Sequence, residues 1–289
     1  MKKLILAAMI VALSILVMKV LVLLCQNRVA FFPMKEWALT PADVQMPAED
    51  VEFKTEDGVL LHGWFIPGPD KDGPVILYFH GNGGNIGYCV EFVQRMKPLG
   101  ASWFLFDYRG YGRSGGAISE EGFYRDVDAA YACCRRRYCP DARRLVLWGF
   151  SLGNVGAARV AAAQEAACLV LEAPFYNASS MAAENPILQF LFLFSNLSLD
   201  TARSIRTCDL PKLFIHGTQD QTVPFHQSQA LFRVAPPPKD YYPVEGADHM
   251  NIFLVGGDRY IETVGKFIQR YTGPTGEASF HLVVPGPVE

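Results

Sequence analysis

The chain has 289 residues, 50% of them hydrophobic and 19% charged, with a formal net charge of −3. That is the balance of an ordinary globular protein, long enough for one large α/β domain with a well-buried core. It excludes a basic nucleic-acid binder: the one dense basic cluster, Arg135-Arg136-Arg137, reads as the solvated end of a helix, with contact to phospholipid headgroups as the lesser alternative. The seven cysteines show neither C-x-x-C nor zinc-ligand spacing, and their odd number does not fit a simple disulfide framework. Most read as small buried hydrophobes, and the odd total leans towards a reducing compartment.

After Lys2-Lys3, the run Leu4 to Leu24 is apolar apart from Ser14 and Lys19. Its length matches the roughly 20 helical residues that cross a bilayer core, and Lys19 lies near enough to one end to snorkel. A cleaved signal peptide has a shorter apolar region followed by small residues. Val22-Leu23-Leu24-Cys25 lacks them, so residues 1–27 are expected to be an uncleaved, single-pass anchor in the lipid bilayer. Lys2 and Lys3 favour an inside N-terminus while Lys19 and Arg28 oppose it, so charge does not decide the side.

Residues 28–48 read as a linker packed on the domain, with Phe31-Phe32-Pro33 close to the membrane surface. Val51–Thr55 and Val59–Ile66 alternate around Asp57-Gly58, a hairpin signal. Val75–Phe79 is a continuous apolar run of the fully buried kind. Helix is predicted over Ile86–Met96, strand over Ser102–Phe106, helix over Glu120–Arg137, strand over Leu145–Trp148 and helix over Val155–Gln164. Strands follow at Cys168–Leu171, Leu213–His216 and Tyr241–Val244, with helices at Phe225–Val234 and Ile252–Tyr271. This alternation predicts a mostly parallel central sheet with helices on both faces, filling residues 28–271. The Gly- and Pro-containing residues 272–289 read as a loose tail.

Gly149-Phe150-Ser151-Leu152-Gly153 sits between a predicted strand and a predicted helix, the context in which G-x-S-x-G lifts a serine hydroxyl above a sheet. A serine needs a base, and the base an orienting carboxylate. Of the six histidines, His249 lies in a loop after a strand, where ligands of open α/β sheets bind. Asp220, a few residues after another strand, is the preferred acid, with Glu172 as the substitute. The oxyanion donors are expected to be the backbone N–H of Leu152 and that of Asn82, or of Gly83 beside it, in His80-Gly81-Asn82-Gly83-Gly84-Asn85. The Lys-Ser/Thr of a phosphate loop is absent there. No cofactor or metal is expected.

Together with Asp107-Tyr108-Arg109-Gly110-Tyr111-Gly112-Arg113-Ser114, His216 to Pro224 and Gly246 to His249, these segments resemble the α/β-hydrolase superfamily. More narrowly, they resemble its small membrane-anchored, serine-aminopeptidase-like members, over about residues 28–271. The resemblance implies Ser151 as nucleophile, Asp220 as acid, His249 as base and the Asn82 loop as oxyanion hole. Asp248 departs from the glycine usual in that family and reads as tuning His249. Asp107 and Arg109 are expected to pair beneath the site.

The stretch from Phe175 to Asp209 is a short cap insertion carrying the apolar run Ile187–Phe194. It reads either as a helix buried against the body or as a flap facing an acyl group or the bilayer. With the anchor, this favours hydrolysis of hydrophobic acyl esters or thioesters. The rival readings are a serine peptidase, which would need a carboxylate near Ser151 to hold the substrate amine, and a non-catalytic scaffold. The site is expected to lie wholly downstream of the anchor.

Overall fold

The computed structural model describes residues 1–273. Eight strands form one sheet: β2 (Glu49–Lys54), β3 (Leu60–Ile66), β4 (Val75–Phe79), β6 (Ser102–Phe106), β7 (Leu145–Phe150), β8 (Cys168–Glu172), β9 (Lys212–Gly217) and β10 (Lys239–Val244). Their order across the sheet is β10-β9-β8-β7-β4-β6-β3-β2. Only β3 runs antiparallel to its neighbours β2 and β6; every other pairing is parallel. The order reverses around β4, which lies between β6 and β7, and ligands of such sheets bind where the order turns. This is the α/β-hydrolase fold.

Continuous apolar strands are what two-sided burial demands. In β4, Val75, Leu77 and Phe79 enter the core on one face, while Ile76 and Tyr78 enter the core on the other. The first face is covered by α3 (Glu120–Arg137), α4 (Gly153–Ala163) and α8 (Phe225–Val234); the second by α2 (Val90–Arg95) and α9 (Ile252–Thr272). Helix α3 shows how local sequence sets an element. Ser119 caps its start by accepting from Gly122 N, Glu120 and Glu121 occupy the first turn, and Arg135–Arg137 the last, each charge matched to the helix dipole. Arg135 donates to the carbonyls of Cys139 and Pro140, and Arg137 pairs with Glu49, so two of the three arginines of this basic cluster are engaged within the protein.

The predicted element positions agree with these spans to within a few residues. The N-terminal helix α1 runs from Lys2 to Ala30, beyond the apolar run, and is long and apolar enough to cross a membrane. A two-stranded parallel ribbon, β1 (Phe32–Pro33) with β5 (Gly83–Gly84), then joins the chain leaving α1 to the glycine loop. The excursion after β8 holds three short helices, α5 (Ala178–Ala183), α6 (Pro186–Phe192) and α7 (Thr201–Ile205). No residue of α6 is buried, so the reading of a helix packed into the body is overturned. Instead Leu188, Leu191 and Phe192 border a cavity that Ser151 also lines. Thr272 closes α9, and residues 274–289 of the expected tail lie outside the described residues. All seven cysteines are free, and Cys133, Cys134, Cys139, Cys168 and Cys208 are buried.

Candidate active site

Ser151 follows β7 with φ of +51°, a left-handed conformation that an L-residue adopts only when its surroundings force it. The forcing is steric. A Cβ at Gly149 would lie 2.6 Å from the Asn154 Cα, and one at Gly153 would strike the Phe79 carbonyl, so strand and helix meet closer than any side chain permits. Two hydrogen-bond donors then hold the turn: Ser151 N–H donates to the Glu172 carbonyl at 2.9 Å, and Asn154 Nδ2 donates to the carbonyls of both Ser151 and Glu172. Asn154 was not singled out from sequence, because a buried asparagine in a small-residue helix carries no periodic signal.

The loops after β7, β9 and β10 bring three side chains into a line. His249 Nε2 lies 3.1 Å from Ser151 Oγ, and His249 Nδ1 lies 2.7 Å from Asp220 Oδ2. All three residues are buried. The His249 ring packs on Phe150, with centroids 5.0 Å apart. Since Asp220 can only accept, the shared proton sits on Nδ1, which leaves Nε2 to accept from serine. The other Asp220 oxygen accepts from Thr222 N and Val223 N at 2.8 and 2.7 Å. Burial pushes the Asp220 pKa up, but the hydrogen bonds from His216 and His249 outweigh it and hold the carboxyl well below the usual range.

His216 is a partner that the sequence reading left without a role. Its Nε2 lies 2.9 Å from the Val223 carbonyl and 3.2 Å from Asp220 Oδ2, so it donates to both and ties the acid loop to the end of β9. Asp248 does not touch the His249 ring. Its Oδ1 accepts from the backbone N–H of His249 (2.7 Å) and of Gln221 (3.0 Å), joining the histidine loop to the acid loop. The substitute acid Glu172 is spent on Trp148, whose Nε1 donates to it at 3.2 Å, and it makes no hydrogen bond to His249.

Leu152 and Asn82 both line the cavity that Ser151 borders, and neither backbone N–H has a partner among the described residues. Leu152 also precedes the first turn of α4, whose dipole favours negative charge. The Asn82 side chain anchors its own loop: Nδ2 donates to the Ala30 carbonyl at 2.7 Å, and Oδ1 accepts from Phe32 N and Tyr111 Oη. Gly83 lies in the ribbon with β1. The expected Asp107–Arg109 pair does not form. Arg109 pairs with Asp57 and with the buried Asp126, while Asp107 accepts from Ile86 N.

The cavity has a volume of about 550 Å³. One wall is the cap, with Leu188, Leu191 and Phe192 of α6. Another wall is α1, with Met18, Leu21, Val22, Cys25, Gln26 and Val29. The named site residues all lie downstream of the anchor, as expected, but the cavity they border does not: its lining reaches back to Met18. The cause is tertiary: α1 does not stop at the domain border but docks on the cap, where Gln26 hydrogen-bonds Ser195 Oγ at 2.8 Å and also meets Asn196.

A family profile described as "Serine aminopeptidase, S33" matches residues 70–203. The uncharacterized protein YfhR of Salmonella typhimurium is 32% identical over 253 residues, covering 81% of this chain and 85% of that protein. The α/β-hydrolase domain-containing protein WAV2 of Arabidopsis thaliana is 33% identical over 273 residues, covering 85% and 88%. Among solved structures, an esterase from Pyrococcus furiosus superposes with a TM-score of 0.70 at 23% identity, covering 84% of this chain and 98% of that one. The strand order, the serine at the turn after β7 and these relatives agree: the chain belongs to the α/β-hydrolase superfamily.

Proposed function

We propose that this protein is a membrane-anchored serine hydrolase that cleaves carboxylic esters or thioesters of hydrophobic acyl groups. The observation that carries the reading is the Ser151–His249–Asp220 line of hydrogen bonds opening into an apolar cavity of about 550 Å³, a size typical of small-molecule sites. Ser151 Oγ attacks the acyl carbonyl carbon as its proton passes to His249 Nε2. The carbonyl oxygen becomes an oxyanion that Leu152 N–H and Asn82 N–H can bind without reorganising. The bond from carbon to the leaving oxygen or sulfur then breaks, and the leaving group takes the proton from His249. Water attacks the resulting acyl-serine with His249 again accepting a proton; the bond from the acyl carbon to Ser151 Oγ then breaks, Oγ takes that proton back from His249, and the carboxylic acid departs. Asp220 holds the ring and stabilises the imidazolium without itself becoming protonated.

The peptidase reading requires a carboxylate beside Ser151 to bind a substrate amine. Glu172 is spent on Trp148 and Asp220 is occupied, which favours the acyl-ester reading. A fluorophosphonate probe should label the wild-type chain, and Ser151→Ala should abolish both labelling and turnover. A panel of long-chain acyl esters, acyl thioesters and aminoacyl amides then separates the two activities. Preferential cleavage of the amides would overturn the proposal.

A further inference from the structure

We propose that the substrate is an acyl ester resident in the bilayer, and that its chain enters the cavity sideways from the leaflet, between α1 and α6, while the outer face of α6 sits in that leaflet. This rests on the serine-hydrolase reading above.

The α1 residues that line the cavity recur at three- and four-residue spacing, so they form one stripe of the helix. From Met18 to Gln26 that stripe is about 12 Å long. Met18, Leu21 and Val22 lie within the apolar run Leu4–Leu24, the part suited to hydrocarbon. The α1 wall of the cavity therefore extends to hydrocarbon depth. The helix is also fixed to the site at its C-terminal end, by two separate contacts. Gln26 bonds to the cap, and Asn82 of the glycine loop bonds to Ala30 O and Phe32 N. An anchor on a free tether would show neither contact.

Helix α6 has two apolar faces. Leu188 and Leu191 face the cavity, whereas Ile187, Phe190 and the adjoining Leu193 face outward at 70%, 53% and 76% exposure. No charged residue occurs between Glu184 and Asp200. An uncharged apolar surface of this kind marks an interaction site. Its occupant follows from its neighbour: α6 is joined through the Ser195–Asn196 turn to Gln26, just past the apolar run of α1, so the bilayer that takes α1 adjoins α6.

The route also suits the energetics. A chain crossing water to reach the cavity loses about fourfold in equilibrium per exposed methylene, whereas a chain sliding from leaflet to cavity exchanges one apolar surrounding for another.

The test uses the full chain in phosphatidylcholine vesicles. Tryptophan placed outward by Phe190→Trp should add fluorescence, relative to wild type, that phosphatidylcholine with brominated chains quenches. The double variant Ile187→Glu/Phe190→Glu should hydrolyse vesicle-embedded 4-methylumbelliferyl palmitate at least about tenfold more slowly than wild type. Its hydrolysis of 4-methylumbelliferyl acetate in water, and its fluorophosphonate labelling, should remain at the wild-type rate. An unquenched Phe190→Trp, or a wild-type palmitate rate in the double variant, overturns the lateral route while leaving the hydrolase reading standing. A wild-type chain that fluorophosphonate does not label removes both.

Discussion

Glu172→Gln separates the two candidate acids and tests the electrostatics of the sheet at once. Glu172 is buried, and burial pushes its carboxyl from an ordinary 4.5 up to about 7, with Tyr260 and Trp148 only partly offsetting this. Between those two values the folded state holds more protons than the unfolded chain, so stability falls as pH rises through that window. Once both states are ionised the cost is about 3 kcal/mol, and at pH 5 it is about 1 kcal/mol. Glutamine keeps the shape and an acceptor for Trp148 but never ionises, so it escapes this cost. At about 2–4 °C per kcal/mol for a domain of this size, Glu172→Gln should melt roughly 6–12 °C above wild type at pH 8.5, and only about 2–4 °C above it at pH 5. Near-UV circular dichroism melts of the detergent-solubilised chain would read the difference. Turnover should stay within a fewfold of wild type, because no Glu172 oxygen hydrogen-bonds to His249. A melting difference that does not grow with pH would refute the burial argument, and loss of turnover would make Glu172 the orienting acid in place of Asp220.

Asp220→Asn should lower turnover by about 10⁴ with the fold intact, since the amide no longer stabilises the imidazolium and can favour the wrong tautomer; single-turnover hydrolysis measures it, and a loss below tenfold would exclude the assigned role. Asp248→Ala should cut the links to His249 N and Gln221 N and reduce kcat by up to about tenfold with little change in KM. Asp248→Asn, which retains the accepting oxygen, should restore the rate; equal loss in both variants would point to charge and not to positioning.

Much of the fold was legible in the chain because parallel, two-sided strands must be continuously apolar and their covering helices amphipathic. Val75–Phe79, Ser102–Phe106 and Glu120–Arg137 were each readable from that rule alone. Ser151, Asp220 and His249 could be proposed because each follows a strand closely, so its place at a strand's carboxyl end is a local property of the chain. Long-range partnerships carry no such local mark. Asn154 clamping the elbow, His216 on Asp220, Asp248 bridging two loops and Arg109 choosing Asp126 over Asp107 all depend on which backbones fold side by side. The largest such decision concerns α1. Sequence determined that residues 4–24 suit hydrocarbon, a matter of composition and length. Only the tertiary structure decided that the same helix, held through Gln26 and Ala30, forms a wall of the cavity, because that depends on where the cap places Ser195 and the glycine loop places Asn82.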